Sequence, residues 1–249
     1  MRTANPALNN KTFQSLPKAR TKAERMTIQG TANKTGIMLL LLIIPAMYVW
    51  NQFFATGANP ASVIPFTIGG AIGGLIVAMV TIFKKTWAPV TAPIYAVLEG
   101  AFLGGISAIF EAQYPGIVLQ AVLLTFGTAF GLLMAYRSGL IQATENFKLG
   151  VAAATGGIFL VYMATFILGF FNINIPYIHG SGTIGIAFSV FVVIIAALNL
   201  VLDFDFIESG AEQGAPKYME WFAAFGLMVT LIWLYIEILR LLAKLASRR

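Results

Sequence analysis

Residues 183–202 read TIGIAFSVFVVIIAALNLVL. The stretch carries no charge, and its apolar residues fall on every side of a helix rather than on alternate positions of a strand. At about 1.5 Å per residue its length is about 30 Å, the thickness of a bilayer's hydrocarbon core. Six more blocks of this kind flank it. Gly36–Ala55, Val63–Phe83, Val90–Phe110, Gly116–Tyr136 and Leu149–Phe171 precede it, and Trp221 to roughly Leu242 follows. Strands of a membrane barrel are about half as long and alternate in polarity, which excludes that class. Composition agrees: 58% of the 249 residues are hydrophobic and 10% are charged, against about 25% charged in soluble domains. The sequence therefore predicts an all-α, polytopic integral membrane protein with seven transmembrane helices in one domain, residues 35–249. A basic, largely disordered tail, residues 1–34, precedes it.

The placement of charge orients the chain. Arg2, Lys11, Lys18, Arg20, Lys22, Arg25 and Lys34 lie before the first block. Lys84 and Lys85, then Arg137 and Lys148, then Lys217 fall in alternate connections, while 56–62, 111–115 and 172–182 contain no Lys or Arg. This is the positive-inside pattern of a multi-pass cell-membrane protein with a cytoplasmic N-terminus. It accounts for the net charge of +6 without a nucleic-acid partner; the lipid bilayer is the expected surrounding. Lys244, Arg248 and Arg249 strain the pattern after a seventh crossing, and a half-spanning last segment would relieve them. The first apolar run follows a long polar tail and reads as a retained signal anchor rather than a cleaved peptide.

Glycines repeat at four-residue spacing in Gly69/Gly73, Gly70/Gly74, Gly100/Gly104 and Gly127/Gly131, the pattern that lets helix backbones approach closely. Pro45, Pro65 and Pro93 are candidate kinks. Ionisable groups inside spans are functional candidates by default. Glu99 sits mid-block in YAVLEGAFLGG and is expected inside the bundle, with polar groups of the sixth or seventh helix, Asn199 and Thr230 first, or water in a cavity as its partners. Glu237 lies in WLYIEILRLL, three residues before Arg240, and the two are expected to pair. Asp203 and Asp205 close the sixth block in NLVLDFDFIESG, with Asn199 one turn before Asp203 on the same face. An enzyme is not expected. The one histidine, His179, lies in a connection, there is no cysteine, and neither Ser107 nor Ser181 has an intramembrane base. No cofactor is implied, and no metal ligands are assigned.

The stretch LDFDFIESGAEQGAPKYMEWFAAFGLMVTLIWLYIEILRLL (202–242) resembles the end of the Bax inhibitor family, the transmembrane Bax-inhibitor-motif proteins, and YPGIVLQAVLLTFGTAFGLLMAY (114–136) resembles that family's fourth helix. In the resemblance Asp203 matches the aspartate closing the sixth helix, with Ile207 four residues on, and Tyr218 matches the loop tyrosine. It implies seven helices with the last one central. Some members are pH-sensitive calcium leak channels in which aspartates of the sixth and seventh helices pair near the cytoplasmic side. Here Thr230 stands where the second aspartate belongs. A threonine donates one hydrogen bond but cannot share a proton as a second acid would. The expectation is a pH-modulated cation leak, calcium first, through Asp203, Asp205, Glu99, Thr230, Asn199 and Glu237. The alternative is a non-conducting protein that binds membrane protease machinery or other membrane partners. A solute transporter would favour an inverted repeat, and none is evident.

Overall fold

The computed structural model describes residues 24–171 and 180–248; His179 and the arm before Glu24 lie outside the described residues. Seven helices follow in order: α1 (Ile28–Ala55), α2 (Ile64–Phe83), α3 (Ala88–Gln113), α4 (Ile117–Arg137), α5 (Glu145–Phe170), α6 (Thr183–Glu212) and α7 (Met219–Ala246). Each is long and apolar enough to cross a membrane, and the chain is a polytopic, all-α membrane protein. The β pairing among the described residues is one isolated antiparallel bridge, Arg25 with Pro216. α7 is the most buried helix, with 78% of its apolar stretch buried.

Most helix boundaries differ from the sequence reading, and three of the larger shifts lie at ends near polar side chains. α1 begins at Ile28 rather than Gly36, α5 at Glu145 rather than Leu149, and α6 runs on to Glu212 rather than ending at Leu202. Hydropathy marks only the part of a helix that lies in hydrocarbon. The backbone ladder continues through polar residues until a cap stops it. Thr27 caps α1 by accepting from the Gly30 N–H, and Thr144 caps α5 by accepting from the Phe147 N–H. Three residues change status as a result. Lys148 is inside α5 rather than in a connection, and Asp203 and Asp205 are inside α6 rather than at its end. α7 is one continuous helix of 28 residues, about 42 Å long, so the last segment is not half-length.

The chain forms two compact units. One contains α1, α2, α3, the last turns of α6 and the first half of α7, as residues 24–118 and 206–229. In it α3 packs against both α1 and α2 through glycine. A Cβ on Gly70 would lie 2.5 Å from the Leu98 carbonyl, and one on Gly104 would lie 2.5 Å from the Ala46 carbonyl. Gly100 abuts the Leu42 carbonyl and Pro45 even more closely. Pro45 and Pro93 are inside their helices. Pro65 is not a kink: it occupies the first turn of α2, where a missing N–H leaves nothing unsatisfied.

The other unit contains α4, α5, most of α6 and the second half of α7, as residues 119–205 and 230–248 of the described chain. Ile158, Val192 and Ile195 form a buried cluster with Tyr162, Phe188 and Trp233 around it. Gly127 and Gly131, read as a packing pair, have nothing among the described residues within 4 Å of where a Cβ would stand. That face of α4 is open.

Candidate functional site

Within the second unit, α5 turns Lys148, Thr155 and Tyr162 to one side, seven residues apart. Two turns separate each from the next, about 10 Å along the axis. Each meets a polar group from a neighbouring helix. The Lys148 ammonium lies 2.6 Å from Asp205 Oδ2 on α6, with Glu145 at 3.9 Å. Thr155 Oγ1 accepts from the Asn199 amide at 2.9 Å, and the same amide donates to the Ile195 carbonyl at 2.8 Å. The Tyr162 hydroxyl donates to Glu237 Oε1 on α7 at 3.0 Å. Arg240 Nη1 donates to that same oxygen at 2.9 Å, and its guanidinium lies 5.8 Å from the Tyr162 ring centre.

A fourth rung completes the series. Seven residues beyond Glu237, the Lys244 ammonium donates to the Gly185 carbonyl at 3.1 Å and to Ser189 Oγ at 2.8 Å. Past it, Ser247 donates to Ser181 at 2.6 Å. From the level of Lys148 to that of Lys244 is three steps of seven residues, about 31 Å in all, close to the hydrocarbon thickness. Polar groups at such depth are costly unless they are hydrogen-bonded, and these side chains supply one another's partners.

Asp203 is fully buried at 0% exposure, and Asn199 and Thr230 are buried with it in this unit. Thr230 lies seven residues before Glu237, as Thr155 lies seven before Tyr162. It therefore stands at the level of the Thr155–Asn199 rung. Glu237 is 2% exposed. One of its oxygens is saturated, and the other, Oε2, is buried with no hydrogen-bond partner among the described residues. The Glu237–Arg240 pair expected from the sequence is present. Tyr162, Thr155, Ser189 and the burial of Lys148 and Lys244 were missed. Their shared spacing, 148/155/162 on α5 and 230/237/244 on α7, was the available signal.

Glu99 belongs to the other unit. It is 8% exposed and points inward from α3. Its surroundings differ from the expectation, because the Asn199 amide is engaged with Thr155 and Ile195. Glu99 instead lies beside Tyr95, one turn back on its own helix. Its carboxylate occupies the space that Gly74 of α2 leaves, where a Cβ would lie 2.5 Å from Oε1. The Tyr95 ring meets Phe225 edge-on at 4.9 Å. Tyr218, just ahead of α7, is half-buried, and burial pushes its phenol above the ordinary value. No group of three or more His, Cys, Asp or Glu side chains that would hold a metal occurs among the described residues.

Residues 5–247, nearly the whole chain, match the family model described as Bax inhibitor 1 like. No curated protein matches the chain.

Proposed function

We propose that this chain, which belongs to the Bax inhibitor 1 like family, is a non-enzymatic cation leak pathway of the cell membrane, with calcium the expected ion. Protonation of buried carboxylates, Asp203 first, modulates it. The observation that carries the reading is the ladder of buried polar groups in the second unit. It runs for about the depth of the hydrocarbon and includes carboxylates at two heights, Asp203 with Asp205 and then Glu237. The unpartnered oxygen of Glu237 is an acceptor of the kind a proton or a passing cation would occupy. Lys148 holds Asp205 as an ion pair, and Asp203, fully buried on the same helix, is the acid that the resemblance places at the control point. Thr230 in place of a second aspartate makes this a single-acid site rather than a shared-proton pair.

Calcium efflux from proteoliposomes, followed against pH, tests the reading. Wild type is expected to leak calcium in a pH-dependent manner, and Asp203→Asn is expected to leak at a rate that no longer responds to pH. An impermeable wild type, or an Asn variant with the full pH response, would sink it.

The orientation proposed with this reading has a cytoplasmic N-terminus and, after seven crossings, an external C-terminus. Of the cations that strain it, Lys244 is buried among acceptors from α6 and Arg248 donates to Thr183 Oγ1 at 3.5 Å, while Arg249 lies outside the described residues. A reporter fused after residue 249 should be reached by a membrane-impermeant label on intact cells. Labelling only after permeabilisation would reverse the topology.

A further inference from the structure

The segment ahead of α1 is tied to the turn ahead of α7, within the first unit. The Lys217 N–H donates to the Glu24 carbonyl at 2.8 Å, and the Met26 N–H donates to the Ala215 carbonyl at 2.7 Å. The backbone around Arg25 is thereby held as a short antiparallel strap, and Met26 is buried beneath it. The next residue, Thr27, is the N-cap of α1. Its N–H and its hydroxyl both donate to Glu220 Oε1, at 3.0 and 2.9 Å. The other Glu220 oxygen contacts the Lys34 ammonium, which also lies 5.6 Å from the Trp221 ring centre. Glu220 is 1% exposed and stands in the first turn of α7.

This arrangement is a capping box divided between two helices. In the ordinary box a Ser or Thr N-cap is followed three residues later by a Glu whose carboxylate reaches back to the N-cap N–H. Here the third position after Thr27 is Gly30, which has no side chain to offer. The carboxylate arrives from α7 and fills the space over that glycine. A Cβ on Gly30 would collide with the Glu220 carboxylate. A single negative group thus faces the positive N-terminal ends of two helices and one lysine.

We propose that Glu220 is a latch, making attachment of the N-terminal strap, capping of α1 and the position of the first turn of α7 a single event. The first turn of α7 cannot move away without releasing the N–H and hydroxyl of the α1 cap residue and freeing the strap. The strap around Arg25 is thereby connected mechanically to α7, with no ligand needed to transmit the link.

Hydrogen exchange on the purified full chain tests this. Glu220→Ala should raise exchange roughly tenfold in 26–31 and in 215–217 together, and trypsin should cut after Arg25, a bond the strap protects in wild type. Adding Gly30→Glu to Glu220→Ala places a carboxylate in cis, three residues after Thr27. That double variant should recover protection in 28–31 while 215–217 and the Arg25 bond stay open. Glu220→Gln, which keeps an acceptor for Thr27 but drops the charge facing Lys34, should loosen both segments by a smaller factor, and serves if the alanine variant does not fold. Unchanged protection in 215–217 in either single variant would overturn the latch. So would a double variant that restores the strap as well as the helix, since Glu220 would then be a cap and nothing more.

Discussion

Gly100→Leu is expected to yield little or no folded protein. A side chain there would have to displace the Leu42 carbonyl and the Pro45 ring of α1, and backbone does not give way as a flexible side chain does. Overpacking into a rigid neighbour costs about 3 kcal/mol or more, enough to consume much of a typical stability. The measurement is the recovery of monodisperse protein in mild detergent and its thermal midpoint. Gly127→Leu and Gly131→Leu are the controls. Nothing among the described residues lies within 4 Å of either site, so both should be recovered like wild type. Equal behaviour of Gly100→Leu and Gly127→Leu would refute the assignment of α3 as the closely packed helix.

Asp205→Ala is expected to be the most damaging single change to the ladder. Lys148 is 4% exposed, and removing the acid 2.6 Å from it takes away its shortest ion-pair contact, at a cost of up to about 3–5 kcal/mol. Lys148→Met should cost less, because the Asp205 side chain keeps 17% of its surface in contact with the surroundings. The double variant Lys148→Met with Asp205→Leu removes both charges and should recover most of the lost stability. Thermal midpoints of the four proteins form a double-mutant cycle that isolates the pair. Additive effects would mean that Glu145, 3.9 Å away, rather than Asp205, neutralises the lysine.

The seven spans were legible because a run such as 183–202 has few physical solutions other than a membrane helix. The ends of the helices were less legible. Ile28, Glu145 and Glu212 are set by caps and tertiary bonds beyond the hydrocarbon, which a hydropathy pattern does not register. Of the site, the acids could be read singly, since any carboxylate in an apolar block stands out. Their partners could not. The sequence points Glu99 to partners on the sixth or seventh helix or to water, and does not register Tyr95, four residues away, or the gap left by Gly74. Lys148 looked like a topology signal because the helix was begun too late. The latch was invisible for a different reason. Its motif lacks the Glu that normally identifies it, because Gly30 occupies that place and Glu220 lies 193 positions from Thr27.

The last helix also has a history implied by its contacts. α7 carries Glu237, Arg240 and Lys244 within one stretch, and a charged residue deep in a membrane helix opposes insertion by about 2.5–3.5 kcal/mol. What offsets those charges is not all on α7. Tyr162 is on α5, and Gly185 and Ser189 are on α6. A chain emerging from a ribosome makes both of those helices first. α7 is therefore a better membrane segment once α5 and α6 are in place to receive its charges than it is alone, and the order of synthesis supplies those helices first.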